Sequence, residues 1–182
     1  MSDGEENKKI KKPKKITPVR LKNIALYYLK RFDTTKYALR QVLLKRVKEY
    51  AFYNPDYDAS SAYAWIDDIL NDFERYGYVD DARFVENKCR DYLAQGKSQK
   101  YILMKLRQKG VSEEVIKRCL NEQEYSPFEA ALLLARKKKI ACFRKDETQR
   151  KEMRQKDMGT LVRAGFDYDT VVRVLDYEPE EE

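Results

Sequence analysis

The stretch GYVDDARFVENKCRDYLAQGKSQKYILMKLRQKGVSEEVIKRCL, residues 77–120, decides the fold. Asp80, Ser98 and Ser112 each carry a side-chain oxygen able to accept from the free N–H groups of a helix's first turn. Gly96 and Gly110 supply the left-handed conformation on which helices commonly stop. Between these signals apolar residues recur at three- and four-residue spacing: Val85, Cys89, Tyr92 and Leu93, then Ile102, Leu103 and Leu106, then Val115, Ile116 and Leu120. The stretch predicts three short helices that bury one common face.

The same grammar extends in both directions. Upstream, Thr17 caps and Pro18 occupies the first helical position, where its missing N–H costs nothing, and the buried face is read as Leu21, Ile24, Ala25, Tyr28 and Phe32. Thr34 or Thr35 opens a second helix carrying Leu39, Val42, Leu43 and Val47, which must stop before Asn54-Pro55 because proline disfavours the helical conformation of its predecessor. A third helix, near Ala59 to Tyr76, puts Ala62, Ile66, Ile69, Leu70 and Phe73 on one stripe, and Gly77 stops it.

Sliding the chain by 64 residues aligns Tyr28-Leu29 with Tyr92-Leu93, Thr34 with Ser98, Leu39 with Leu103 and Val47 with Val111, which marks an internal repeat. Downstream, Ser126-Pro127-Phe128-Glu129 is a capped start, and Leu161, Gly165-Phe166, Val171 and Leu175 repeat the spacing of Leu106, Gly110-Val111, Ile116 and Leu120. Arg136 to Lys156 is charge-dense and nearly without an apolar stripe, so the first half of the middle helix there has no sequence signal. The expected organisation is a disordered basic leader at 1–16, helical units at 17–78, 79–123 and 124–176, and a disordered acidic tail at 177–182. The fold class is all-α: tandem three-helix repeats in an elongated, curved, right-handed or solenoid-like array.

Composition narrows the chemistry. Of 182 residues, 38 are Lys or Arg and 31 Asp or Glu, a net charge of +7, and the mean hydropathy is -0.82. No apolar run approaches the roughly 18 to 20 residues a membrane span needs, and no apolar segment follows the lysines near the start. A cytoplasmic protein without a membrane partner is expected. Histidine is absent, which excludes Ser-His-Asp and Cys-His catalysis and any His-ligated metal. Cys89, Cys119 and Cys142 form no C-x-x-C pair and read as small packing residues of a reducing compartment. The six glycines fit no phosphate-cradling pattern, so no cofactor is expected, and Asp80-Asp81 reads as capping rather than as a metal or acid pair.

Gly77-Tyr78-Val79-Asp80-Asp81-Ala82-Arg83-Phe84, then Gly96-Lys97, then Leu103 to Leu106 followed by Lys109-Gly110-Val111, resembles the central signature of the RecX family of bacterial recombination regulators. Gly165-Phe166-Asp167-Tyr168 and the closing Val171 to Leu175 extend the resemblance, which spans about residues 20 to 176. It implies a modular helical protein without catalytic activity. It further implies binding to the RecA recombinase filament on DNA, lying in its groove and restraining filament growth, ATP hydrolysis and strand exchange.

The surface read from the residues is compatible with such a partner. Arg83, Asn87 and Arg90 share a helix face that is not the apolar one, and Lys97, Lys100, Lys105, Arg107 and Lys109 follow with no acidic residue from Ala94 to Val111. Tyr101 lies one position from this basic face as a candidate rim contact. These nine residues form the expected filament or DNA contact. A secondary basic surface is expected at Arg136, Lys137, Lys138, Lys139, Arg150 and Arg154, where a solvated face and a binding face weigh equally. The lysine leader adds weak, nonspecific, salt-sensitive attraction to single- or double-stranded DNA. The protein is expected to be a monomer. The competing readings are a helical-repeat scaffold that binds only protein and a basic helix-turn-helix regulator, the latter disfavoured because the candidate recognition helices open with Glu113-Glu114 and with Asp167 and Asp169.

Overall fold

The computed structural model describes residues 13–178; the leader up to residue 12 and the last four residues of the acidic tail lie outside them. All regular structure among the described residues is helical: α1 Pro18–Leu29, α2 Lys36–Tyr53, α3 Ser60–Arg75, α4 Asp81–Ala94, α5 Gln99–Arg107, α6 Glu113–Glu122, α7 Pro127–Lys138, α8 Glu147–Arg163 and α9 Tyr168–Leu175, with a 3-10 turn at Ala141–Phe143. The chain divides into two compact units between Asp80 and Asp81. The first holds α1 to α3, the second α4 to α9.

In the first unit Thr17 caps α1 by accepting from the Arg20 N–H (3.2 Å), and Pro18 sits in the first turn. Ile16, at the end of the expected leader, is buried and shares the core with Leu21, so an apolar residue on each side of the cap pins the helix start. Leu39, Leu43 and Val47 of α2 and Ala62, Ile66, Leu70 and Phe73 of α3 complete the core. Fully burying a side chain of this size stabilises by about 1.5 to 3 kcal/mol, which is what makes three short helices cohere. Phe32 corrects the sequence reading. The helix ends at Leu29, a turn follows, and the ring is 51% exposed, touching Tyr28 with 4.9 Å between centroids. Helical spacing stops predicting a face once the helix stops.

The repeat is also corrected by one residue. Leu21 and Ala25 correspond to Val85 and Cys89 at the offset of 64, all four buried, but the cap of α2 is Thr35, not Thr34. From there the equivalent pairs are Thr35 with Ser98, Leu39 with Ile102 and Leu43 with Leu106, one residue closer. The longer link between α1 and α2 absorbs the difference.

The second unit has two hydrophobic clusters. Phe84, Val85, Cys89, Ile102, Leu106, Ile116, Cys119 and Leu120 form one, between α4, α5 and α6. Ala130, Ala131, Ala135, Ala141, Leu161, Phe166, Val171 and Val174 form the other, and Tyr125 packs against both. All three cysteines are buried and unbridged. Burial, with a hydrogen bond to Cys119 that keeps the proton on Cys89, pushes the Cys89 thiol up to about 12. Tyr177, read as tail, sets its ring against Phe128 at 5.6 Å.

Two glycine turns let these repeats meet. Gly96 (φ +69°) ends α4, and a Cβ there would stand 2.8 Å from the Ala130 carbonyl oxygen and 3.1 Å from the Leu134 nitrogen of α7. Gly165 (φ +95°) follows α8, where a Cβ would stand 2.7 Å from the Ser98 hydroxyl. Ser98 itself accepts from the Tyr101 N–H (3.2 Å) and donates to the Ala164 carbonyl (2.6 Å), while the Tyr125 hydroxyl accepts from the Gln99 N–H (2.9 Å).

Gly77 is also left-handed (φ +71°) but has nothing within 4 Å of a built Cβ. Gly77→Ala is therefore expected to cost only the backbone term, about 1 kcal/mol, and Gly96→Ala clearly more because backbone atoms of α7 must shift as well. Urea unfolding of the two variants measures the difference. Equal losses would show that the approach of Gly96 to α7 contributes nothing.

Candidate interaction surface

The turn between α4 and α5 fixes the first group of cations. Gly96 stops α4, Ser98 starts α5, and Lys97 is held between them. Lys97 Nζ lies 4.9 Å from the centroid of the Tyr101 ring, Lys105 Nζ, one turn along α5, lies 5.6 Å from it, and Tyr92 of α4 meets the same ring edge-on at 5.6 Å. An aromatic face attracts a cation by about 0.5 to 1 kcal/mol at exposed sites, so one half-buried tyrosine organises two ammonium groups. Of the nine residues expected at the contact, these three are the ones the structure joins most closely.

Lys100 and Arg107 lie on the neighbouring strip of α5, on either side of Met104. They line a cleft of about 690 Å³ together with Leu103, Tyr125 and Phe166. Here the structure adds what the sequence run concealed. Glu113 at the start of α6 pairs with both Arg107 and Lys117, the latter at 2.8 Å, so the run without acids receives a carboxylate across the turn. On α4, Arg83 and Arg90 are exposed and Asn87 half-buried, on a face away from Val85 and Cys89. Arg90 is paired with Glu86 at 2.9 Å. Lys109, in the turn after α5, is half-buried.

Four of the six residues of the secondary basic surface make contacts inside the second unit. The Arg136 guanidinium lies 5.4 Å from the Phe143 ring centroid, Lys137 donates to the Ala94 carbonyl (2.9 Å), Arg150 donates to the Arg144 carbonyl (2.8 Å), and Arg154 pairs with Asp176 (2.7 Å). Lys138 and Lys139 are exposed, Lys139 ending α7 in the left-handed region (φ +52°).

Asp157 escaped sequence reading altogether. It is 1% exposed on α8, accepts two hydrogen bonds from Arg144 (both 2.7 Å), and takes a third from the N–H of Ala141 (2.9 Å), itself strained at φ +56°. Burial pushes its carboxyl up. The Arg144 hydrogen bonds, the Ala141 N–H and the charges of Arg144 and Lys156 together outweigh it and hold the group below the usual carboxylate range. The available signal was its register, since Met153, Asp157 and Leu161 share one helical face.

Among the described residues no cluster of three or more His, Cys, Asp or Glu could hold a metal ion. The arrangement offers cations around an aromatic ring and a cleft with basic and apolar walls, the chemistry of a binding surface on an all-helical repeat protein. A model of the second three-helix domain of RecX matches residues 80–120. The regulatory protein RecX of Myxococcus xanthus (strain DK1622) is 35% identical over 179 residues, covering 97% of this chain and 95% of that protein. The regulatory protein RecX of Vibrio parahaemolyticus serotype O3:K6 is 28% identical over 160 residues, covering 88% of this chain and 92% of the relative. The crystal structure of RecX from Lactobacillus salivarius superimposes with a TM-score of 0.60 at 22% identity, over 87% of this chain and 96% of that one, and shares the fold. The chain belongs to the RecX family of regulatory proteins.

Asp157→Ala leaves the half-buried Arg144 guanidinium and the Ala141 N–H without their acceptor and is expected to cost about 1 to 3 kcal/mol. Because the folded carboxyl titrates below its unfolded value, its contribution is complete above about pH 4 and is lost as pH falls through the lowered native value. Urea titrations from neutral to acid pH should show a lower midpoint for the variant and a flatter acid limb. An unchanged midpoint would refute the structural role.

Proposed function

We propose that this protein binds the RecA recombinase filament on DNA and restrains its growth, ATP hydrolysis and strand exchange. The reading is that of a non-catalytic cytoplasmic monomer, with DNA bound weakly and without sequence preference. Family membership supports the class of partner, and the observation that carries the site is the grouping of Lys97 and Lys105 about Tyr101. Two cations with little acidic neutralisation nearby suit phosphates or an acidic protein face, and the tyrosine edge suits a base or an apolar rim. Arg83, Asn87, Arg90, Lys100, Arg107 and Lys109 extend the surface. A helix-turn-helix operator mode fits less well: α6 opens with Glu113 and Glu114, and α9 has Asp167 as its cap and Asp169 in its first turn. Those carboxylates would face phosphates.

Lys97→Glu with Lys105→Glu is expected to leave helix content unchanged, because neither side chain belongs to the second core, and to weaken inhibition of recombinase ATP hydrolysis tenfold or more. A desolvated charged contact costs about 2 to 5 kcal/mol when one partner is truncated, an exposed rim pair under about 1. Arg83→Glu with Arg90→Glu tests the α4 face in the same assay. Binding to single-stranded DNA supplies the second readout, its log-log salt slope becoming shallower by about 0.7 for each phosphate no longer neutralised. Reduced inhibition with an unchanged slope assigns the residues to recombinase; unchanged inhibition in both variants overturns the site.

A further inference from the structure

The first unit contributes no residue to the surface described above, yet it carries a cleft of its own, of about 620 Å³, along α1. Lys14, Arg20 and Arg46 line it against a single acid, Glu49. Arg46 is matched by Glu49 at 3.0 Å, so Lys14 and Arg20 remain as a surplus of two positive charges with every lining residue counted. Val19, Ile24 and Tyr27 supply an apolar wall, and Asn23 an amide.

Arg20 is the unusual member. Its backbone N–H is spent on the Thr17 cap, which fixes the residue in the first turn of α1. Its side chain is half-buried, and Nε is shut off from solvent without an acceptor among the described residues. Such an orphaned donor is uncommon in a folded chain. A guanidinium offers five N–H donors, and an oxyanion that meets it edge-on takes two of them at once. A phosphate entering the cleft supplies the partner that the fold withholds.

Seven residues on, about 10 Å along the helix axis, Tyr27 stands on the same face of α1 and is 64% exposed. The Arg31 guanidinium lies 5.7 Å from its ring centroid and donates to its hydroxyl (3.1 Å), which ties the ring in place. Asn23, exposed between Arg20 and Tyr27, has a donor and an acceptor on one amide. Cation, amide and ring in that order match the charge, base edge and base plane of a nucleic-acid strand. An acidic peptide would use the cations and leave the ring and the amide without a counterpart. In a duplex the bases cover one another, so an exposed ring selects unpaired ones.

We propose that this cleft seats a short stretch of single-stranded nucleic acid, with a phosphate on Arg20 and Lys14 and a base against Tyr27. The first unit then has a strand contact separate in sequence from the group around Tyr101. The seat deepens the DNA-binding part of the function proposed above and rests on it.

The test uses the full chain, with the lysine leader unchanged throughout so that its own attraction cancels. Arg20→Gln removes the charge and keeps most of the packed stem. Tyr27→Ala changes an exposed position, and it keeps the test decisive if Arg20→Gln lowers helix content. Binding to labelled oligo(dT) at about 50 mM salt is expected to weaken about threefold in Arg20→Gln and about fivefold or more in Tyr27→Ala. Only Arg20→Gln should flatten the log-log salt slope, by about 0.7, because the tyrosine carries no charge. Inorganic polyphosphate, which has phosphates but no bases, should bind Tyr27→Ala as tightly as it binds the wild type. Backbone amide resonances of Asn23 and Tyr27 should shift when oligo(dT) is added to the wild type. Wild-type oligo(dT) affinity in both variants, with those two amides unmoved, overturns the seat and leaves the proposed function standing. Equal losses by Tyr27→Ala on oligo(dT) and polyphosphate overturn the base contact. Wild-type oligo(dT) affinity with weakened inhibition of recombinase ATP hydrolysis assigns the cleft to the protein partner and overturns the seat. No measurable oligo(dT) binding by the wild-type chain defeats the DNA-binding part of the proposed function, and the seat with it.

Discussion

One oxygen atom, Ser98 Oγ, governs the second unit. It begins α5 by accepting from the Tyr101 N–H and closes against the third repeat by donating to the Ala164 carbonyl. A hydroxyl has a single proton to give, and here it is committed across 66 residues of sequence. Ser98 is 2% exposed and its two partners are half-buried, so losing the bond to the Ala164 carbonyl costs about 0.5 to 1.5 kcal/mol. The contact exists only because residue 165 has no side chain. Everything placed relative to the start of α5 inherits this constraint: Lys97 just before it, Tyr101 and Lys105 on one strip, Lys100 on the next.

Helix starts and stops were legible because they are local chemistry. Thr17, Ser98, Ser112 and Ser126 each accept from an N–H three residues on, and the glycines read as stops at 77, 96, 110 and 165 all have positive φ. What escaped was chemistry between segments. Nothing around Glu113 says that it folds back on Arg107, and nothing local says that Arg144, one cation among many, is consumed by Asp157. The one-residue slip in the repeat escaped for a related reason. A 64-residue offset matched residue types, whereas the buried faces follow a connection whose length differs between repeats. Phe32 fell to the opposite error, a periodicity extended beyond the helix that produces it.

The candidate surface shows the same division. A run of lysines and arginines is one feature in a sequence and several in a fold. Arg136, Lys137, Arg150 and Arg154 hold backbone, ring or carboxylate within the second unit, while Lys97 and Lys105 are oriented by an aromatic ring. Charge reversal at residues of the first kind changes stability as well as binding. At residues of the second kind the two effects separate, which is why Lys97 and Lys105 are the more informative positions of the nine.

The placement of the cysteines has a practical corollary. All three occur after Asp80, all are buried, and burial raises the Cys89 and Cys142 thiols, so at neutral pH almost no reactive thiolate faces solvent at these two positions. Alkylation of the native chain therefore waits for opening of the structure, and its rate is a clock for that opening. Because the first unit contains no cysteine, the clock is blind to it. Peptide mapping would further resolve Cys89 and Cys119, which report on the second core, from Cys142 in the third repeat, giving the wild-type protein its own footprint of local unfolding without an engineered probe.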